Sequence, residues 1–352
     1  MSFTIKDVAS LAGVSVATVS RVLSGKPGIK ETTQKKVLQV AKELNYVPNH
    51  IARSMITKHT YTIGLVVADI TNPFYSDTAK IIEDQARQNG YTVIMCNTNN
   101  KPAIQTKIVE TLQQKRVDGF IFGSARYEDK TIYDLIQEGF PCVCYHRRIK
   151  DELGHFVGCD NAIGTRLILE HLHQLGHHRV AFISGPRDFS TGLERLQGFL
   201  SARQEFGFDE ASFMIKEGDY DRLKTAKVTR ELLKLPDPPT AIFVANDMMA
   251  LQVMDCILEE GYRIPEDISI AGFDDISIAA NQRIQLTTVD SRPEECARLA
   301  FEQLLGLINE TIPIYESTKI LLEPSLKIRH STARPRSKNL PRLSNQKNSK
   351  SL

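Results

Sequence analysis

The sequence contains no apolar run approaching the roughly 20 residues that a helix needs to cross a bilayer. Its first residues, Met1-Ser2-Phe3-Thr4-Ile5-Lys6-Asp7, lack a basic flank leading into an apolar stretch, so no secretory signal is visible. No membrane partner is expected, and the expected location is cytoplasmic. Cysteine is scarce and scattered: Cys96, Cys142, Cys144, Cys159, Cys256 and Cys296 form no CxxC and pair with no histidines at zinc spacing. They read as free thiols, most of them inside apolar strand-like runs. Also missing are a GxSxG elbow, a P-loop, an HExxH helix and a GxGxxG opening a helix. These absences disfavour an enzyme, and no metal or cofactor is called for.

What is present is a polarity of charge. The net charge of +2 conceals a first stretch, residues 1–60, with nine Lys/Arg against three Asp/Glu. Residues 331–352 carry six basic residues and no acidic one, which leaves −10 for the middle of the chain. A basic head on an acidic body suits a molecule that offers one end to a polyanion.

Four segments follow from the patterning. Residues 1–47 read as short helices separated by tight turns, residues 48–60 as a short polar segment, and residues 61–330 as an alternation of strands and amphipathic helices. Residues 331–352, rich in Ser, Asn, Lys, Arg and Pro, read as a basic disordered tail. In the body, Thr62–Val67, Thr92–Cys96, Gly119–Phe122, Cys142–Tyr145, Val180–Ile183, Ala241–Val244 and Ser269–Gly272 are short apolar runs of the kind found in parallel strands covered on both faces. Helical stretches such as Tyr75–Gln88 and Gly164–Leu175 lie between them. Gly90, Gly139, Gly176, Gly207 and Gly261 are expected to close helices in the left-handed conformation. About ten such units are too many for one doubly wound sheet. The fold class expected is α/β, two Rossmann-like lobes with a cleft between them, behind a three-helix head.

In the head, Thr4 can cap a first helix with Asp7 in its first turn, and Val8, Leu11 and Ala12 make its apolar stripe. Gly13 permits a tight turn, and Ser15 caps a second helix with Val19, Val22 and Leu23 inward. Val16, Ala17, Ser20 and Arg21 are outward. A third helix, about Glu31–Leu44, buries Val37, Val40, Ala41 and Leu44. This is the helix-turn-helix plan, in which the second helix enters the major groove. A small bundle used for dimerisation has a similar pattern, but the +6 charge and the exposed Arg21 favour DNA.

The motifs Thr4-Ile5-Lys6-Asp7-Val8-Ala9, Gly13-Val14-Ser15-Val16-Ala17-Thr18-Val19-Ser20-Arg21-Val22-Leu23 and Tyr46-Val47-Pro48-Asn49-His50-Ile51-Ala52-Arg53-Ser54-Met55 resemble the lactose/galactose repressor (LacI/GalR) family. Asn72-Pro73-Phe74, Val117-Asp118-Gly119, Ala245-Asn246-Asp247, Gly272-Phe273-Asp274-Asp275 and Leu286-Thr287-Thr288-Val289 extend the likeness over roughly residues 3–330. The resemblance implies a repressor that binds a palindromic double-stranded operator as a homodimer and is switched by a small polar effector, a sugar or sugar phosphate. It places base reading on Val16, Ala17 and Arg21; the first two can meet thymine methyls and Arg21 guanine. Thr4, Lys6, Ser15, Thr18 and Ser20 suit phosphate contacts, which position rather than specify. It also implies that residues 48–60 form a hinge helix that folds only over DNA, with Asn49, His50 and Arg53 at the minor groove. Met55 stands where the family wedges a leucine between bases. A plain linker is the other reading of that segment.

Ligands of open α/β sheets bind at the carboxyl ends of strands. Asp69, Phe74 and Tyr75 follow the first strand, Arg147 follows Cys142–Tyr145, Asn246 and Asp247 follow Ala241–Val244, and Asp274 follows Ser269–Gly272. The family resemblance adds Thr191, Arg195 and Tyr220, with Arg195, Asn246 and Asp274 as hydrogen-bonding groups and Phe74, Tyr75 and Tyr220 as walls. Asn246, Asp247 and Asp274 can also simply cap helices, and Arg195 can be a structural ion pair. Two departures matter: Phe189 replaces the arginine of purine-type members, and His146 precedes Arg147 where many sugar-type members have Asp-Arg. The dimer interface is expected on about residues 70–110, and no leucine-heptad tetramerisation helix is visible. A transport solute-binding protein and an α/β enzyme with an accessory head are the rival classes.

Overall fold

Helix α1 (Ile5–Ala12) starts where it does because Asp7 reaches back: its Oδ2 accepts from the Thr4 N–H at 2.7 Å and from Thr4 Oγ1 at 2.8 Å. These bonds hold the Asp7 carboxyl below its ordinary range. Gly13, at φ 65°, ends the helix in the left-handed region. The Ser15 hydroxyl then accepts from the Thr18 N–H at 3.1 Å and opens α2 (Val16–Leu23); α3 (Glu31–Glu43) follows. Val8, Ala9, Ala12, Val19, Val22, Val37 and Ala41 form a small core of their own. Leu11, expected inward, is 61% exposed. At about 100° per residue the stripe of Val8, Ala9 and Ala12 is centred roughly 100° away from it.

The computed structural model describes residues 3–23, 27–46, 59–207 and 213–336, and the chain divides into two units, Met1–Thr60 and Tyr61–Leu352. The second unit begins with β1 (Thr62–Val67), α4 (Pro73–Gln88), β2 (Thr92–Asn97), α5 (Pro102–Gln114), β3 (Gly119–Phe122), α6 (Lys130–Gln137), β4 (Cys142–Tyr145) and β5 (His155–Cys159). It crosses to a second lobe with α7 (Asn161–Gln174), β6 (Val180–Ser184), α8 (Ser190–Glu205), β7 (Phe213–Glu217), α9 (Arg222–Leu233), β8 (Ala241–Val244), α10 (Asp247–Glu259), β9 (Ser269–Asp274) and β10 (Thr287–Asp290). It returns through α11 (Pro293–Ile308) and β11 (Thr318–Leu322), and crosses again to β12 (Ser325–Lys327).

Two six-stranded sheets result, in the orders β11-β5-β4-β3-β1-β2 and β12-β10-β9-β8-β6-β7. All strand pairs are parallel except the antiparallel pair of β10 with β12. The lobes are therefore joined three times, after Cys159, after Asp290 and after Leu322. The central strands are apolar on both faces because helices cover both: Ile63, Leu65, Val66 and Val67 are fully buried, as are Ala241 to Val244. Gly90, Gly139, Gly176, Gly207 and Gly261 all have positive φ, as expected of helix-closing glycines.

The tail reading needs correcting. Residues 331–336 are held against the second lobe: Ser331, 2% exposed, donates from its hydroxyl to the Ile270 carbonyl at 2.6 Å. The Ala333 N–H donates to Ser269 Oγ at 3.0 Å, and its carbonyl faces His177 Nε2 at 2.8 Å. Polar composition hid this because the segment is fixed by backbone and hydroxyl bonds instead of apolar burial. Residues 337–352 lie outside the described residues.

Candidate functional site

On the head, the capped start of α2 leaves Val16, Ala17, Ser20 and Arg21 exposed along one face while Val19 and Val22 pack inward. The Arg21 guanidinium reaches the Pro27 carbonyl at 3.3 Å. Thr4, Lys6 and Ser15 are also exposed, and the Thr18 hydroxyl lies 2.9 Å from that of Ser15. Asn49, His50, Arg53 and Met55 fall outside the described residues, as does most of the expected hinge.

In the body, side chains from the carboxyl ends of strands in both lobes meet, and the region between them is the candidate cleft. The geometry begins at β4. The Arg147 N–H bonds to the Tyr145 carbonyl at 2.6 Å, closing a three-residue turn around His146 at φ 63°. That hand of γ-turn is rare and strained. It lays the His146 ring 4.1 Å from the Phe74 ring and directs Arg147 into the cleft. Burial, with Arg195 and Arg147 near by, holds the His146 pKa well below the ordinary histidine value, so the ring is neutral. Arg147 is 4% exposed; its guanidinium carbon lies 3.9 Å from the centre of the Phe189 ring, 5.4 Å from Tyr220 and 6.0 Å from Tyr75. Its Nη1 donates to Asn100 Oδ1 at 2.8 Å. Tyr220 and Asp274 share the positive-φ backbone of His146.

Arg195, 1% exposed, is the second buried guanidinium. It donates to Asp274 Oδ1 at 2.9 Å, to Asn161 Oδ1 at 2.8 Å and to the Ala245 carbonyl, and it lies over the Phe273 ring at 3.7 Å. Asn161 continues the chain of bonds. Its Nδ2 donates to Glu194 Oε2 at 2.7 Å, and Glu194 Oε1 accepts from Arg148 Nε, also at 2.7 Å, on the other lobe. A network thus runs Asp274–Arg195–Asn161–Glu194–Arg148 from one lobe to the other. A second tie, Arg126 with Asp188, is reinforced by the Tyr127 N–H on the Asp188 carbonyl at 2.8 Å.

Of the expected cleft residues, the structure brings together Phe74, Tyr75, Arg147, Thr191, Arg195, Tyr220 and Asp274; Thr191 Oγ1 and the Tyr220 hydroxyl are 3.1 Å apart. Others are engaged locally. Asp69 accepts from the N–H and hydroxyl of Thr71. Asn246 caps α10 by accepting from the Met249 N–H at 2.9 Å. Asp247 accepts from Thr288 Oγ1 at 2.6 Å and the Ile276 N–H at 3.0 Å, and burial raises its pKa well above the carboxylate range. The residues that sequence reasoning missed are Asn100, Asn161 and the cross-lobe partners Arg126, Arg148, Asp188 and Glu194. Asn161 was within reach: it follows β5, so recognising His155–Cys159 as a strand puts it at a strand's carboxyl end.

Residues 4–49 match the family model described as bacterial regulatory proteins, lacI family, and residues 169–332 match a periplasmic binding protein-like domain. The probable HTH-type transcriptional repressor ExuR of Bacillus subtilis strain 168 is 35% identical over 336 residues, covering 94% of this chain and 98% of that protein. The chain belongs to the LacI family of transcriptional repressors. The ribose operon repressor of Escherichia coli K12 is 32% identical over 93% of this chain and 99% of its own length. A crystal structure of the lac repressor dimer bound to operator and the anti-inducer ONPF superimposes with a TM-score of 0.80 at 27% identity, covering 95% of this chain and all of that one. Members of the LacI family repress transcription and are not enzymes, which disposes of the α/β-enzyme alternative; the helix-turn-helix match disposes of the transport one. No helix among the described residues is long and apolar enough to cross a membrane.

Proposed function

We propose that this LacI-family repressor acts in the cytoplasm as a homodimer on an inverted-repeat operator, and that a sugar-like effector bound between the two lobes sets its affinity for DNA. Residues 1–47 read a half-site, residues 48–60 are the hinge, and residues 61–330 bind effector and dimerise. In this reading Val16, Ala17 and Arg21 meet base edges, while Thr4, Lys6, Ser15, Thr18 and Ser20 meet phosphates. Asn49, His50, Arg53 and Met55 meet the minor groove. One face of Tyr75, Arg147, Thr191, Arg195, Tyr220 and Asp274 holds the effector, with Phe74 behind it; Asp69, Asn246 and Asp247 support the surrounding loops. The observation that carries the switch is the Asp274–Arg195–Asn161–Glu194–Arg148 network, because it spans both lobes and touches the cleft. A ligand there changes the relative stability of two lobe arrangements, which is what allosteric control requires. We assign the dimer surface to α4, β2 and α5; the exposed Met95 on edge strand β2 supports this reading.

The test is binding of the full chain to a randomised pool of inverted-repeat duplexes, read by fluorescence anisotropy against salt. Selection of one palindrome, with affinity falling steeply as salt rises, is expected. Arg21→Ala should relax preference at one position of each half-site. Equal binding to random and selected duplexes would refute the reading.

A further inference from the structure

The charges in the cleft pair off with one left over. Arg126 faces Asp188, Arg148 faces Glu194 and Arg195 faces Asp274. Arg147 has no carboxylate partner among the described residues, only the Asn100 side-chain oxygen on one nitrogen and aromatic faces around it. Its Nε and the Tyr75 hydroxyl are both buried without a hydrogen-bond partner. Its neighbour in the chain, His146, is held neutral by burial and supplies no negative charge. Two buried guanidiniums thus stand near a single carboxylate, Asp274, which Arg195 engages, and Arg147 Nε and the Tyr75 hydroxyl remain as two unsatisfied buried donors.

We propose that the effector carries a single carboxylate, which Arg147 and the Tyr75 hydroxyl bind, so that this repressor responds to a sugar acid in preference to a neutral sugar. The inference rests on the cleft being the effector site. A planar guanidinium matches a carboxylate in two parallel hydrogen bonds, and the Tyr75 phenol, its pKa pushed up to about 12, stays a neutral donor. A monoanion cancels the one unmatched charge. A neutral sugar leaves it buried, and a phosphate monoester, with a charge of about −1.5 to −2 near pH 7, overshoots it.

Titration calorimetry on the full chain tests this with matched sets: D-glucuronate, D-glucose and glucose 6-phosphate, then D-galacturonate, D-galactose and galactose 6-phosphate, together with D-gluconate. At least one carboxylate should bind at least tenfold tighter than its uncharged and phosphorylated counterparts. Arg147→Gln, which keeps a polar side chain, should erase that preference by weakening the acid about 10- to 100-fold while changing the neutral sugar by less than threefold, the range expected for losing a charged hydrogen bond. Thermal melting and operator binding of the variant report whether it is folded. A neutral or phosphorylated sugar that binds best, or an acid whose affinity survives Arg147→Gln in folded protein, overturns the proposal and leaves the effector cleft standing. If no member of the panel binds, and Asp274→Ala has no effect on operator release by a metabolite extract, the effector-cleft reading itself falls, and this one with it.

Discussion

His177 illustrates how a single residue can tie stability to pH. It is buried, its Nδ1 faces Thr240 Oγ1 at 2.9 Å and its Nε2 faces the Ala333 carbonyl at 2.8 Å. The carbonyl can only accept, so Nε2 carries the proton and Nδ1 accepts from the threonine; the ring is satisfied while neutral. Burial lowers its pKa from 6.5 to about 4. As pH falls through 6.5 the unfolded chain takes up a proton that the folded chain refuses. This contribution is therefore present above 6.5, shrinks down to about pH 4, and amounts to about 3 kcal/mol in all. His177→Gln, whose amide offers the same donor and acceptor, should flatten that decline. Urea unfolding at pH 7.5, 5.5 and 4.5 checks it: the wild-type protein should lose stability relative to the variant by about 2.5 kcal/mol across the series, and parallel curves would refute the assignment.

At the scale of elements, the start of α2 depends on Ser15, which serves both the helix and, in the proposed complex, a phosphate. Removing the cap with Ser15→Ala should destabilise the head by about 1 kcal/mol. Ser15→Asp keeps a capping oxygen but sets a negative charge against DNA. The expected outcome is that Asp restores amide protection in α2, measured by hydrogen exchange, yet binds operator more weakly than Ala. Equal operator affinity of the two variants would mean that Ser15 caps and does nothing else. The elements themselves were legible to different degrees. The central strands β1, β3, β4, β6, β8 and β9 read clearly because burial on both faces makes them continuous apolar runs. Strand β5 contains His155 and Gly158, and β11 alternates in exposure as an edge strand, so neither looks like a buried parallel strand from composition alone. Leu11 misled for a related reason: apolar identity suggested an inward side chain, but the stripe that packs is set by where α2 and α3 cross.

The whole molecule adds the coupling between lobes. Glu194 accepts from the buried Asn161 on its own lobe and from Arg148 on the other, and Arg148 and Glu194 are themselves partly buried. Glu194→Gln weakens the cross-lobe bond by about 1.5 kcal/mol, enough to move the balance of open and closed lobes about tenfold. Small-angle scattering should then report a larger radius of gyration without effector, and calorimetry a weaker effector affinity. If neither changes, the network is packing alone and does not carry the switch.

The linear chain by itself determined the kind of molecule. The helix-turn-helix spacing, the segregated charge, the apolar strand runs and the helix-ending glycines are local patterns, and they suffice for a repressor head on two α/β lobes. The candidate cleft was legible where a residue lies at or just past the carboxyl end of a strand, as with Asp274 and Arg147. Only the tertiary structure decided which charges meet. Arg148 and Glu194 are 46 residues apart, Arg195 and Asp274 are 79 apart, and no local pattern links such positions. Whether a buried guanidinium has found its carboxylate depends on two lobes joined by three crossovers, and that pairing leaves Arg147 as the unmatched charge.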